Sequence, residues 1–203
     1  QFSAMAEVID KPLINLESAM NHPCQSLADW KTLDDLAVPR HAKFVLSWVQ
    51  HPRALPLAVP AATVHMAAMR GMEVVVLRPE GYGLPPEVMD KARTAAAGSG
   101  GSVRETANRA EALAGAQAAH VVDALEEQGD AGLRAGLSGW CVTPEWFDLT
   151  DAECKFMHCL PVRRNVAVAD AVLDSPRSIV QREAFNRMTA QMAVLYRMLS
   201  RGV

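Results

Sequence analysis

The sequence predicts an α/β fold, a doubly wound, Rossmann-like parallel sheet with flanking helices, and three features carry that prediction. From about residue 41 onward, short apolar runs alternate with stretches of helical spacing, the pattern of parallel βαβ units with helices on both faces. Turn residues punctuate the alternation where helices should start and stop: Gly71 follows a helical run, Pro86 opens the next, and Gly98-Ser99-Gly100-Gly101 closes it. The third is a polar cluster, His158-Cys159-Leu160-Pro161-Val162-Arg163-Arg164-Asn165, directly after the apolar run Lys155-Phe156-Met157. It places an imidazole, a thiol, a turn-forming proline and two guanidinium groups at the exit of a strand, where open parallel sheets bind their ligands.

The elements follow in order. Leu13 and Ile14 read as an apolar strand that runs through Glu17 and His22-Pro23-Cys24-Gln25 into a helix over 26–36, with Leu27, Trp30, Leu33 and Leu36 on one side. Val38-Pro39-Arg40-His41 breaks that helix and marks a domain boundary near residue 40. Beyond it the spacing predicts strand 44–49, helix 57–70, strand 73–77, helix 86–97, strand 102–105, helix 108–113 and strand 120–122. A last helix over 182–199 carries Met188, Met192, Leu195 and Leu199 on one apolar face.

Composition narrows the function. Half of the 203 residues are hydrophobic and 21% are charged, the balance of a folded domain without disordered tracts. With 20 basic and 23 acidic side chains the net charge is −3, so no positive field draws the chain to nucleic acid or to an anionic membrane. The four cysteines, Cys24, Cys141, Cys154 and Cys159, show neither a Cys-x-x-Cys pair nor a zinc spacing. With no secretory or long apolar segment, they read as free thiols of a cytoplasmic protein. Gly98 to Gly101 does not complete a dinucleotide fingerprint, because Val103 stands where the last glycine belongs. No metal and no redox cofactor is expected.

Two strand exits of this kind, one at Glu17–Asp29 and one at His158–Asn165, point to one shared site. Together with Trp48-Val49-Gln50-His51-Pro52-Arg53-Ala54-Leu55-Pro56 and Glu183-Ala184-Phe185-Asn186-Arg187, they resemble the aspartate/ornithine carbamoyltransferases, whose His-Pro-x-Gln and His-Cys-Leu-Pro signatures are intact here. The resemblance runs over essentially the whole chain. Its His-Pro-Arg-x-Leu-Pro and Leu-Pro-Val-Arg-Arg-Asn stretches look most like the N-acylornithine branch, which takes N-acetyl- or N-succinylornithine.

That resemblance implies a C-terminal portion of a two-domain protein: 1–40 the end of a carbamoyl-phosphate domain, 41–180 an amino-acid-binding domain, and 181–203 a helix returning to the first. The family's phosphate loop is not found, since Ser102-Val103-Arg104-Glu105-Thr106 is off by one residue and too late. The implied reaction is attack by the side-chain amine of an N-acylated ornithine on carbamoyl phosphate. Following the family pattern, His22 and Arg187 resemble donors to the carbamoyl oxygen, Gln25 a partner of the carbamoyl amide, and Cys159 and Leu160 backbone acceptors for that amide. Glu17, His51 and Arg163 resemble substrate-binding residues. Each also has a plainer role: His22 as a helix cap, His51 as a loop histidine, Arg163 as a surface charge, Arg187 as the ion-pair partner of Glu183. The other histidines, His41, His65 and His120, read as structural. The implied partners are carbamoyl phosphate, an amino-acid substrate and two further copies in a homotrimer.

The sequence also departs from the branch. A lysine in an Ala-Lys-x-Trp context is replaced by Val122-Asp123-Ala124-Leu125-Glu126-Glu127, and a second lysine position falls near Phe147. Three readings remain open: an N-acylornithine carbamoyltransferase, a relative with another amine acceptor such as ornithine, or a non-catalytic binding homologue. Arg53 beside His51 favours a more anionic acyl tail such as succinyl.

Overall fold

The computed structural model describes residues 2–49, 55–123 and 140–200. Its centre is a five-stranded, wholly parallel sheet of β1 (Lys43–Val49), β2 (Glu73–Leu77), β3 (Ser102–Thr106), β4 (Ala118–Asp123) and β5 (Lys155–Met157), in the order β3-β2-β1-β4-β5. The chain steps outward from β1 through β2 to β3, then returns to the other side of β1 to lay down β4 and β5. The order therefore reverses between β1 and β4, the topological switch point at which doubly wound sheets open a crevice.

Alternation along the strands divides the core into two layers. Phe44, Leu46, Trp48, Val74 and Val76 face one side, packed with Val64, Ala67, Val88 and Met89. Val45, Val49, Val75, Leu77 and Val121 face the other, against Leu113, Trp146, Phe147, Val168 and Val172. Burial on both faces is why these strands are unbroken apolar runs. Helices α3 (Ala58–Met69) and α4 (Pro86–Ser99) build the first layer, while α5 (Arg109–Leu113), a 3₁₀ segment (Pro144–Leu149) and α6 (Asp170–Leu173) lie with the second.

Local chemistry sets the ends of these helices. Pro86 occupies the first turn of α4, and Asn108 caps α5 by accepting from Glu111 N. Gly71 ends α3 at φ +87°, and a Cβ there would stand 3.0 Å from Ser99 O. The turn before β1 is held by Arg70, whose buried guanidinium donates to Val38 O, Pro39 O and Asp34.

Two elements differ from expectation. Helix α2 runs over Pro23–Asp35, beginning earlier than residue 26 because Pro23 fits the first turn. Leu13 and Ile14 form no strand: among the described residues the segment's only bridge is Ser18–Asn21, and without a ladder partner an extended apolar run does not become a strand. Helix α1 (Phe2–Val8) precedes it and buries no residue.

The long helix α7 (Val180–Ser200) packs along α2 through Glu183, Asn186 and Ala190, with Asn186 Nδ2 donating to Thr32 Oγ1 and Asp35 Oδ2. Its methionine stripe points elsewhere: Met188, Met192, Leu195 and Leu199 are exposed, with Phe185 and Tyr196 beside them. Among the described residues no helix is long and apolar enough to cross a membrane.

Candidate active site

β5 ends at Met157 and the chain turns immediately through His158-Cys159-Leu160-Pro161, with Leu160 at φ 43° and a cis Leu160–Pro161 bond. Opposite this turn stand the first turn of α2 and the second turn of α7. Between them lies a cavity of about 380 Å³ whose walls include Gln25, His158, Cys159, Leu160, Glu183 and Arg187. A second, of about 230 Å³, shares Cys159, Leu160 and Arg187 with it and adds Glu17, His22 and an apolar wall of Leu55, Pro56, Val59 and Pro60.

Six of the residues singled out from sequence thus meet around two adjoining cavities: Glu17, His22, Gln25, Cys159, Leu160 and Arg187. Arg163 is half-buried and lines neither, but its charge reaches His158. His51 lies outside the described residues, as do Arg53, Glu126 and Glu127. Arg164 is a surface group, ion-paired with Asp170 and Asp174. The position compared with a lysine, Phe147, is core: its ring meets Phe156 edge-on at 6.3 Å.

Protonation follows from burial and neighbours. Burial, and then the Arg187 charge, pushes the His22 pKa below its ordinary value, against a smaller opposing pull from Glu17. His22 is thus a neutral imidazole at pH 7, and its Nδ1 has no hydrogen-bond partner among the described residues. His158 is buried more deeply, and burial drives its pKa down to about 3 with help from His120 and Arg163. Its Nδ1 accepts from Leu160 N at 3.1 Å, which fixes the proton on Nε2, and Nε2 is unpartnered among the described residues. Gln25 donates Nε2 to Asp29 Oδ1 at 2.7 Å and leaves Oε1 without a partner among the described residues. Buried polar groups seldom lack partners. Three such atoms, an acceptor on Gln25 and nitrogens on His22 and His158, are buried in residues that line the two cavities, so polar groups without partners among the described residues stand close to the cleft.

Arg187 does not pair with Glu183. The Glu183 carboxylate turns inward, accepting from His158 N at 3.1 Å and lying 3.5 Å from His120 Nε2, which leaves the guanidinium at the junction of the cavities. His120 is more than a core filler, since Asp29, His120 and Glu183 form one buried cluster. Sequence reading missed Asp29 and Glu183 in these roles and left His158 unassigned. The available signals were their helical offsets, Asp29 four residues after Gln25 and Glu183 four before Arg187. None of the four cysteines forms a disulfide among the described residues, and burial raises the Cys24 and Cys154 pKa values, as suits thiols that are not nucleophiles.

A parallel sheet with its polar site at the carboxyl ends of the strands, beside the switch point, defines a doubly wound small-ligand-binding domain. Residues 59–198 match the family model described as aspartate/ornithine carbamoyltransferase, Asp/Orn binding domain. The chain belongs to that family. It is 34% identical to N-succinylornithine carbamoyltransferase of Bacteroides fragilis over 93% of this chain and 56% of the relative. With N-acetylornithine carbamoyltransferase of Xanthomonas campestris it shares 37% over 91% of this chain and 57% of the relative. With ornithine carbamoyltransferase of Methanoculleus marisnigri the identity is 32%, over all of this chain and 63% of the relative. The fold superposes on a crystal structure of N-acetyl-L-ornithine transcarbamylase with a TM-score of 0.90 at 34% identity, covering 97% of this chain and 62% of that one. The chain thus spans little more than half the length of such relatives.

Proposed function

We propose that the protein transfers the carbamoyl group of carbamoyl phosphate to the side-chain amine of an N-acylated ornithine, giving an N-acylcitrulline and phosphate in arginine biosynthesis. The observation that carries this reading is the meeting of His22, Gln25, Arg187 and the Cys159-Leu160 turn around two cavities that share a wall. One cavity suits the carbamoyl donor and the other the acceptor, which brings the two reactants to a common edge. In the reaction a nitrogen–carbon bond forms, the carbon–oxygen bond to phosphate breaks, and the amine's surplus proton leaves with phosphate. Charge develops on the carbonyl oxygen, and Arg187 with a neutral His22 supplies donors for it. The apolar wall of Leu55, Pro56, Val59 and Pro60 suits the acyl and methylene portions of the acceptor, with Glu17 at its polar edge.

A second reading, free ornithine as acceptor, is favoured by the similar identity of ornithine carbamoyltransferases. In either reading residues 1–40 and 181–203 belong with a carbamoyl-phosphate domain, the protein works as a cytoplasmic homotrimer, and His51 and Arg163 contribute to binding the acceptor. The test is a colorimetric assay for ureido product on the intact protein, with carbamoyl phosphate and ornithine, N-acetylornithine or N-succinylornithine. Product from acylated acceptors alone supports the proposal. Product from ornithine alone replaces it with the second reading, and no product from any acceptor leaves a non-catalytic homologue.

A further inference from the structure

The reaction as written uses none of three groups buried immediately behind the site. α2, β4 and α7 each send one ionisable side chain to the same point: Asp29, His120 and Glu183, all at 1% exposure or less. His120 Nε2 lies 3.7 Å from Asp29 Oδ2 and 3.5 Å from Glu183 Oε1. The outer oxygen of each acid is committed to the cleft instead. Asp29 Oδ1 accepts from Gln25 Nε2, and Glu183 Oε2 accepts from the His158 backbone N–H.

A primary amide has two unlike ends, and either can face a ligand unless something chooses between them. Here the choice is made by Asp29. Its Oδ1 is an acceptor, so it takes the NH₂ end of Gln25, a residue of the cavity wall, and leaves the buried carbonyl Oε1 unpartnered among the described residues. The NH₂ of a carbamoyl group is a donor, the complement of that carbonyl.

We propose that Asp29, held in place by His120 and Glu183, is a positioning residue that fixes the Gln25 amide with Oε1 toward the carbamoyl nitrogen. The inference rests on the carbamoyl-transfer reading given above. The three groups approach to 3.5–3.7 Å without closing a hydrogen bond among the described residues, so their buried packing is what holds Asp29 in place. A divalent cation fits less well, because a closed structural zinc site takes four ligands and three donors meet here. A neutral Asp29 that keeps Oδ1 as an acceptor and carries its proton on Oδ2 satisfies Gln25 and leaves no charge beside the imidazole. Asparagine reproduces that arrangement, with an NH₂ group in place of the protonated oxygen, whereas leucine keeps the bulk and removes both functions.

The test compares Asp29→Asn and Asp29→Leu in the intact protein. D29N is expected to stay within about threefold of the parent in kcat/KM for carbamoyl phosphate. D29L is expected to lose ten- to a hundredfold in that constant, while the KM for the amino-acid acceptor stays unchanged. A folded D29L with parental kinetics overturns the proposal, as does D29N failing as badly as D29L. A second measurement needs neither variant nor activity: in the ¹⁵N-labelled protein the Gln25 side-chain amide protons should exchange with solvent at least a hundredfold more slowly than those of an exposed glutamine. Rapid exchange overturns the proposal even if D29L does not fold. One equivalent of bound zinc that is lost in His120→Ala overturns the account of Asp29 as held by packing. If the parent forms no ureido product with any acceptor, the functional reading falls, whereas rapid exchange would still count against the Gln25–Asp29 hydrogen bond.

Discussion

Replacing Arg187 with glutamine separates chemistry from stability more cleanly than any other single change in this site. The side chain is half-buried, lies at the wall common to both cavities, and makes no ion pair among the described residues. A substitution of that kind, away from cores and caps, usually shifts folding by no more than about 0.5 kcal/mol. The loss of one donor to a developing oxyanion, by contrast, costs about 2.7–4 kcal/mol, or a hundred- to a thousandfold in kcat. Arg187→Gln should therefore unfold within a degree or two of the parent while its kcat falls by two to three orders of magnitude. The change also has a spectroscopic signature. The Arg187 charge is the second cause, after burial, of the depressed His22 pKa, so removing it should raise that pKa toward the ordinary histidine value without restoring it fully. The assays are ureido-product kinetics, thermal unfolding, and a histidine titration by NMR. A variant that keeps parental kcat, or one whose loss of activity tracks a loss of folded protein, refutes the reasoning; an unmoved His22 titration removes Arg187 from its surroundings.

Stability should pass through a maximum near pH 6.5. Burial raises the pKa values of Asp29 and Glu183 to about 8, so the folded chain keeps protons that an unfolded carboxyl releases near pH 4, and stability falls as pH rises between those limits. His22, His65, His120 and His158 are all depressed, chiefly by burial, so the unfolded chain takes up more protons below about pH 6.5 and stability falls toward acid. Between pH 6.5 and 8 the acids act alone; a melting temperature that rises across that interval contradicts the assignment. Arg70→Leu should cost about 1–3 kcal/mol, measured by denaturant unfolding, because Val38 O loses its buried donor while Pro39 O keeps Ala42 N. Gly71→Ala should cost about 1–2 kcal/mol, since φ is +87° and the new Cβ meets Ser99 O at 3.0 Å; an unchanged unfolding midpoint would show that the turn relaxes.

Much of this was legible in the chain. Apolar runs bounded by Gly71, Pro86 and Gly98–Gly101 mark strands buried on both faces, because each such strand must be apolar throughout and each connection must turn. The His-Cys-Leu-Pro segment marked the cleft because ligands sit beyond strand ends, the His-Pro-x-Gln segment marked it by resemblance alone, and six residues from three separate segments meet there. The failures share one cause. Leu13 and Ile14 have the composition of a strand, but strand formation depends on a partner that composition does not reveal. Phe147 is a core ring for the same reason: its neighbours, Phe156 and Arg177, come from elsewhere in the chain.

By itself, then, the sequence determined the class of fold, the order of its elements and the position of the cleft, because local periodicity and turn chemistry act over a few residues. Only the tertiary structure decided which way α7 faces, that Glu183 turns from Arg187 to His158, and that Asp29 and His120 stand with it behind the site. Those outcomes depend on burial and on distances between groups twenty-five or more residues apart, and burial is what makes two ordinary carboxyl groups keep their protons at neutral pH beside an imidazole that stays neutral.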